Sequence, residues 1–140
     1  MNAKLRRKAE FLLVVLGVIF TDQISKSLAT SWLTTGCNPG IAFGIGLSGS
    51  LGIWLSIAIL CLVFYFVLKG QKTVSALALY LIFGGGVSNL FDRLAFGCVR
   101  DFIQVASLTR WPSFNLADAA ITAGVSVLVL DLLFWRVKES

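Results

Sequence analysis

The chain has 140 residues, enough for one domain, but 57% of them are hydrophobic and only 14% are charged, which excludes an ordinary soluble domain with about 25% charged residues. The net charge of +5 is interpreted as a signal of membrane orientation and argues little for nucleic-acid binding, because basic residues flank the cytoplasmic ends of membrane helices. The chain contains no histidine, which excludes Ser-His and Cys-His catalysis and argues against a transition-metal site, so no metal or cofactor is expected.

Four apolar stretches are long enough to cross a bilayer as helices, which requires about 20 residues each. They cover approximately residues 9–28, 51–68, 73–90 and 116–137. The sequence therefore predicts an all-α integral membrane protein with four transmembrane helices in a single domain, residues 1–140. The first stretch alone could be a cleaved signal peptide, but three further spans favour a retained helix.

The basic residues indicate how the predicted bundle is oriented, because cytoplasmic flanks retain Lys and Arg during insertion. Most of them fall on the side of the two termini: Lys4, Arg6, Arg7, Lys8, Lys69, Lys72, Arg136 and Lys138. The other side has Lys26, Arg93, Arg100 and Arg110. Both termini are therefore predicted to be cytoplasmic. The two long connections, residues 29–50 and 91–115, then face the outer side, the second as a segment along the membrane surface.

A run of small side chains lies in the third stretch, at Gly84, Gly85, Gly86 and Ser88. Small residues allow membrane helices to approach one another closely. The run is interpreted as a packing surface without a direct chemical role.

The three cysteines, Cys37, Cys61 and Cys98, show no metal-ligand spacing, and their odd number leaves at least one thiol free. Cys61 lies in an apolar stretch and is expected to be a small buried hydrophobic residue. Cys37 and Cys98 are expected on the same side of the membrane, which allows a disulfide. Free thiols are nevertheless the favoured interpretation.

The seven acidic residues divide into two groups by position. Glu10, Asp131 and Glu139 lie near the predicted cytoplasmic ends, where solvation or basic neighbours explain them. The others, Asp22, Asp92, Asp101 and Asp118, fall at the outer ends of spans or in the connection there. An ionisable group at membrane depth costs roughly 2.5–3.5 kcal/mol on insertion scales, so these four are candidates for function.

Three of the four outer acids also have a structural explanation. Asp22 and Lys26 are four residues apart and can pair on one helix face, either as a brace or as a substrate contact. The cluster of Asn89, Asp92 and Arg93 at the end of the third span can cap helix carbonyls and fix a loop.

Asn115 and Asp118 stand where the fourth helix should begin, as an N-cap and its first-turn partner. An acidic first turn that complements the helix dipole would explain Asp118 without any chemistry. If Asp101 and Asp118 were close together in a partly desolvated place, they would share one proton. One could then activate a water while the other protonates a carbonyl, which is peptide hydrolysis without His, Ser or metal. The spacing alone does not establish that the two meet.

Five short segments occur in a fixed order at the outer ends of the four spans. They are residues 22–26 (DQISK), 38–44 (NPGIAFG), 85–93 (GGVSNLFDR), 99–103 (VRDFI) and 114–118 (FNLAD). In this series the chain resembles signal peptidase II, the lipoprotein signal peptidase of bacterial inner membranes. Each segment alone is a modest signal, but the ordered set is specific and covers about residues 21–121.

The resemblance implies a membrane aspartic peptidase with Asp101 and Asp118 as its catalytic pair. It implies lipidated prolipoproteins as substrates, with cleavage immediately before a diacylglyceryl-modified cysteine. The expected location is the bacterial inner membrane, with the site near the outer leaflet, membrane lipids around it, and the protein as a monomer.

Seven further residues are implied to support or bind at this site. Asp92 also lies in a family segment and competes for the catalytic role, but its implied role is to pair with Arg93. Asp22 with Lys26 is implied to brace the first helix. The residues implied to orient the carboxylates or to bind the substrate backbone are Asn38, Asn89, Arg93 and Asn115.

The chain departs from the family pattern between Asp22 and Asn38, which only about fifteen residues separate. Family members usually have a longer outer segment there, which contributes to a small β-sheet that cradles the substrate. We expect a shortened outer β or loop region, in which residues 36–52 can still form a short hairpin.

Three other functions fit parts of the sequence. A four-helix transporter would place a proton-coupling acid near the middle of a span, whereas here the acids cluster at one interface. A catalytically inactive relative could bind lipoproteins, although both aspartates are retained. A Ser-Lys enzyme would use Lys26 with Ser25, Ser27 or Ser31, but it requires a neutral lysine, and the nearby Asp22 favours the charged form.

Overall fold

The computed structural model describes residues 2–32, 36–39, 49–70, 75–104 and 112–139, without the side chains of Trp32 and residues 135–139. Its elements in chain order are α1 (Ala3–Trp32), β1 (Gly36–Asn38), α2 (Gly49–Lys69), α3 (Ala76–Phe96), β2 (Val99–Asp101) and α4 (Leu116–Glu139). The four predicted helices are confirmed. The third was placed too early, because α3 begins three residues after the predicted span and continues to Phe96.

Helix α3 lies at the centre of the bundle and packs against each of the other three helices. Three described helices, α1, α2 and α4, are long and apolar enough to cross a membrane by themselves. The second half of α3 includes Ser88, Asn89, Asp92 and Arg93, all of which are buried. Its neighbours shield these side chains from lipid, which makes them tolerable at membrane depth.

The glycine run of α3 sets how closely its neighbours approach. A Cβ added at Gly84 would lie 3.2 Å from the backbone of α1, and one added at Gly86 would lie 2.8 Å from Leu60 of α2. A Cβ added at Gly85 would lie 2.5 Å from the carbonyl oxygen of Ala117 in α4. Three consecutive glycines therefore face three different helices, which confirms the predicted packing surface.

The buried interior has an apolar half and a polar half. Near the chain termini, Val15, Leu79 and Tyr80 form an apolar cluster against which Phe11 and Phe83 pack. The rings of Phe11 and Tyr80 meet edge to face, with centroids 5.2 Å apart. At the opposite end the buried side chains are polar or charged: Asp22, Lys26, Ser88, Asn89, Asp92, Arg93, Asp101 and Asn115. The exterior is largely apolar, as contact with lipid requires.

A two-stranded antiparallel sheet joins the two long connections at the polar end. Gly36 pairs with Asp101, and Asn38 pairs with Val99. Most of the segment expected to form a short hairpin, residues 40–48, lies outside the described residues, and β1 pairs with β2 of the later connection. Beyond β2, Ile103 and Phe114 form an antiparallel bridge, which brings the residue after Phe114 back beside the end of β2.

The cysteines differ from expectation on two counts. Cys37, in β1, forms a disulfide with Cys98, directly before β2, across a sequence separation of 61 residues. The expectation of free thiols is wrong because sheet pairing brings these two positions together. Cys61 is free, as one thiol had to be, but it is exposed on α2 rather than buried.

We predict that Gly85→Ala lowers the free energy of unfolding by about 1–3 kcal/mol, because the added methyl group meets the α4 backbone, which cannot move aside alone. Thermal unfolding of the purified protein in detergent measures this change. Gly17→Ala is the matched control, since a Cβ there meets nothing within 4 Å. Equal stability of the two variants would contradict the assigned α3–α4 contact.

Candidate active site

Asp118 is held at the start of α4 by a reciprocal cap with Asn115. The backbone N–H of Asp118 donates to Asn115 Oδ1 at 2.9 Å, and the backbone N–H of Asn115 donates to Asp118 Oδ2 at 3.3 Å. This arrangement is a capping box, in which two otherwise unpaired helix donors are satisfied. The predicted N-cap is confirmed, and the cap fixes the direction of the Asp118 carboxylate.

Asp101 ends β2 and is 1% exposed. Asn38 Nδ2 of β1 donates to its Oδ2 at 3.0 Å, and Asn115 Nδ2 donates to its Oδ1 at 2.7 Å. Both carboxylate oxygens of Asp101 therefore accept an amide hydrogen bond, one from β1 and one from the residue that precedes α4.

Two asparagines connect the two carboxylates. Asn89 Nδ2 donates to Asp118 Oδ1 at 2.7 Å. Asn115 Nδ2, which also donates to Asp101, donates to Asn89 Oδ1 at 3.2 Å. Asp101 and Asp118, 17 positions apart in the sequence, thus lie at the two ends of one short chain of amide side chains.

The surroundings of Asp101 favour its protonated form. Burial raises the pKa of Asp101, and the nearby Asp118 raises it further, while the hydrogen bonds from Asn38 and Asn115 and the charge of Lys26 act in the opposite direction. The net pKa is above the ordinary value for an aspartic acid. A carboxyl with this shift beside a second carboxylate is a group that can hold and transfer a proton.

Lys26 is completely buried and contacts two aspartates. Its Nζ lies 2.6 Å from Asp22 Oδ2 and 3.2 Å from Asp92 Oδ2, and it donates to Asn89 Oδ1 at 3.0 Å. The predicted Asp22–Lys26 pair is confirmed. Because the ammonium also fixes Asn89, it supports the asparagine that holds Asp118.

Asp22 makes contacts of a structural kind. Its Oδ2 accepts a hydrogen bond from Ser88 Oγ of α3 at 2.7 Å, and its Oδ1 accepts one from the backbone N–H of Ala117 at 2.9 Å. The carboxylate therefore joins α1 to α3 and to the first turn of α4. This arrangement favours the brace over the substrate contact.

Asp92 forms an ion pair with Arg100, whose pairing the sequence did not predict. Arg100 donates to it from the backbone N–H, from Nε and from Nη2, at 3.0, 3.3 and 2.9 Å, and Gln23 Nε2 donates at 2.9 Å. The charge of Arg93 also interacts with that of Asp92. Arg100 reaches Asp92 because β2 turns back along α3 and brings its guanidinium over the Phe96 ring, 4.3 Å from the centroid.

Sequence reasoning missed three supporting residues, Gln23, Ser88 and Arg100. Gln23 donates to Ser88 Oγ at 3.0 Å and accepts from Arg100 Nη2 at 2.8 Å. All three lie inside the five segments that carry the resemblance, next to residues that were singled out. Gln23 and Ser88 gave no signal, since an uncharged residue at the end of a span costs little, and Arg100 was counted only among the basic residues of the outer side.

The Ser-Lys alternative does not fit the described contacts. Ser25, Ser27 and Ser31 donate their hydroxyls to carbonyl oxygens of α1 itself. Lys26 is engaged with two carboxylates. No serine of this group lies within hydrogen-bond distance of the ammonium in the described part of the chain.

A cavity of about 710 Å³ lies beside the carboxylate pair. Asp101, Asp118 and Arg93 line its polar end, together with Asn38 and Asn89. Its wall continues along the apolar side chains of Ile59, Leu60, Ile82 and Ile121 from α2, α3 and α4. Asp22, Lys26 and Asp92 do not line it. Within the described residues, no group of three or more His, Cys, Asp or Glu side chains is arranged to hold a metal ion.

The chain is similar in sequence to known peptidases. The family model described as Signal peptidase (SPase) II matches residues 14–134. The lipoprotein signal peptidase of Moorella thermoacetica is 38% identical over 88% of this chain and 92% of its own length. The lipoprotein signal peptidase of Aquifex aeolicus is 33% identical over 90% of this chain and 87% of its own length.

The fold is similar to that of two solved structures, both described as bacterial membrane enzymes. One has a TM-score of 0.82 and 27% identity, and the match covers 94% of this chain and 92% of that one. The other has a TM-score of 0.76 and 29% identity over 89% of this chain and 93% of that one. The four-helix architecture is therefore that of a bacterial multi-pass membrane enzyme.

A third relative shows that this chain is short for its kind. The lipoprotein signal peptidase of Borrelia hermsii is 31% identical and is aligned over 169 positions, which cover 100% of this chain and 99% of that protein. The alignment is thus 29 positions longer than the 140 residues of this chain. Since the family model matches most of the chain and full-length relatives exceed 30% identity, the chain belongs to the signal peptidase II family.

Proposed function

We propose that this protein is an aspartic endopeptidase that removes the signal peptide from diacylglyceryl-modified prolipoproteins, with Asp101 and Asp118 as its catalytic pair. The observation that carries the proposal is the joining of two buried carboxylates by Asn115 and Asn89 at the polar end of a cavity. Membership of the signal peptidase II family and relatives named lipoprotein signal peptidase support it.

The proposed chemistry needs one proton shared between the two carboxyl groups. The ionised carboxylate takes a proton from water, whose oxygen attacks the scissile carbonyl carbon, while the protonated carboxyl donates to the carbonyl oxygen. When the resulting gem-diol collapses, one of its protons returns to the second carboxylate. The first gives its proton to the leaving amine as the C–N bond breaks, and the pair regains its starting state. Both macroscopic pKa values then belong to the pair.

The asparagines hold the two carboxylates in the positions that this chemistry requires. Each carboxylate oxygen of Asp101 accepts an amide donor, and the two oxygens of Asp118 accept from Asn89 Nδ2 and from the backbone of Asn115. Fixed carboxylates avoid the entropy cost of assembling the reacting groups around each substrate.

The cavity suits a lipid-modified peptide. Its polar end can take the peptide backbone, with Arg93 beside it, and its wall of isoleucine and leucine side chains can accept apolar groups. The cavity lies between α2 and α4, both of which are suited to span the membrane. Acyl chains of the substrate need not leave the bilayer to bring the scissile bond to the carboxylates.

We place this site near the outer leaflet of the bacterial inner membrane, with both termini in the cytoplasm. The excess of basic residues at the other end of the bundle supports this orientation. The disulfide between Cys37 and Cys98 supports it independently, because it lies at the site end of the bundle and disulfides persist outside the reducing cytoplasm.

We predict that Asp101→Asn and Asp118→Asn, each made singly, reduce cleavage of a lipidated precursor by at least about a thousandfold, since neither amide can exchange the proton. Membrane insertion and abundance are expected to stay unchanged. Gel-shift assays of precursor cleavage in detergent or vesicles measure the rate. Ser25→Ala is the control with near wild-type activity, because its hydroxyl bonds only to the carbonyl oxygen of Asp22. Full activity in either aspartate variant would refute the assignment.

We predict that a precursor without the diacylglyceryl group is cleaved at least about a hundredfold more slowly than its lipidated form. Binding energy from the acyl chains, at about 0.8 kcal/mol per buried CH₂, would be lost. Parallel assays of one precursor before and after lipidation measure the ratio. Equal rates would show that the apolar wall of the cavity does not select the substrate.

We predict that activity persists well above the ordinary aspartic acid pKa of about 3.9. The raised pKa of Asp101 means that the pair keeps its shared proton as the pH rises past that value. Activity is lost only at the higher pH where this proton dissociates. The alkaline limb of kcat/KM against pH measures that point. An alkaline limb within about half a pH unit of 3.9 would show that the reaction does not use the shared proton.

A further inference from the structure

The short sheet presents two different faces. Side chains alternate along a strand, so Cys37, which pairs with Arg100, shares one face with it. Cys98, two residues before Arg100, lies on that same side. The opposite face has Asn38 and Asp101, whose side chains are hydrogen bonded at 3.0 Å. The disulfide is thus on one face and the candidate catalytic carboxylate is on the other.

The register of this sheet decides whether Asn38 reaches Asp101. β1 and β2 have three residues each, and an isolated two-stranded sheet is marginally stable in water. A slip by one residue would turn every side chain of β1 to the other face. Asn38 would then point away from Asp101 without any change in the four helices.

The position of β2 is fixed by a contact with α3. The backbone N–H and guanidinium of Arg100 bind Asp92 of α3, which is itself paired with Lys26. The covalent bond from Cys37 to Cys98 ties β1 to this strand of fixed position.

We infer that the Cys37–Cys98 disulfide is a positioning element of the active site, which holds the β1 register that puts the Asn38 amide on Asp101 Oδ2. The inference rests on the proposed function. The disulfide lies outside the pair of Asp101 and Asp118 but influences the proton affinity of Asp101.

The consequence for Asp101 follows from the groups that face it. Asp118 from α4, Lys26 from α1 and Arg93 from α3 are its described charged neighbours, and all three lie outside β1. Asn38 of β1 donates a hydrogen bond to Asp101 Oδ2, and that bond lowers the pKa of Asp101. Its loss raises that pKa further, so the limb of the pH profile governed by Asp101 moves to higher pH.

The test compares Cys37→Ser/Cys98→Ser with Cys61→Ser, which removes the lipid-exposed free thiol of α2. The paired variant is expected to lose about tenfold in kcat/KM and to shift its pH profile upward by about half a unit. Cys61→Ser is expected to match the wild type in both. A general loss of stability would lower the amount of active enzyme without moving the pH profile.

A double-mutant cycle with Asn38→Ala identifies the route of the effect. Asn38→Ala alone is expected to give the same upward shift, and adding the paired cysteine substitution is expected to shift the profile no further. An additive shift would overturn the inference, because the disulfide would then act on Asp101 by a route other than Asn38.

Reduction of the folded wild-type enzyme avoids any failure of the variants to fold. Treatment with a phosphine reductant is expected to reproduce the shift in the wild type and to leave the paired variant unchanged. No shift on complete reduction, verified by thiol labelling, would overturn the inference. A wild-type enzyme that does not cleave lipidated precursor would instead contradict the proposed function.

Discussion

The buried ammonium of Lys26 is the contact on which the polar half of this protein depends. It compensates Asp22 and Asp92 and fixes Asn89, which holds Asp118. Removing one partner of a buried ion pair typically costs about 3–5 kcal/mol, because the remaining charge is left without compensation. A lysine at this depth is therefore tolerable only while both carboxylates are in place, and the same contacts bring α1 and α3 together.

This network divides the four outer aspartates into two kinds. Asp22 has a described ion pair with Lys26. Asp92 has described ion pairs with Lys26 and with Arg100. The described hydrogen bonds of Asp101 and Asp118 come instead from amide groups. Cations at contact distance hold the first kind in place, while amide donors orient the second kind. Aspartates thus have two roles in this protein: one pair holds helices together, and the other pair is the candidate catalytic pair.

The central position of α3 allows this polar cluster to exist in a membrane. Gly84, Gly85 and Gly86 let three helices approach it from three sides, and the polar side chains of its second half are buried. At the polar end of the bundle, β1 joins β2 in a two-stranded sheet with a disulfide across it. A covalent link gives a three-residue strand a defined register that its few hydrogen bonds would hold only weakly.

The sequence by itself determined the four helices, the packing role of the glycine run, the Asp22–Lys26 pair and the Asn115–Asp118 cap, because each depends on hydrophobicity or on residues within one helical turn. The ordered segments also indicated the family. Only the tertiary structure decided that Asp92 binds Arg100, that Cys37 bonds to Cys98, and that Asp101 and Asp118 lie on one chain of amides. Those contacts join residues from different elements, and their partners depend on how β2 turns back and on which strand β1 pairs with, neither of which has a local signal in the sequence.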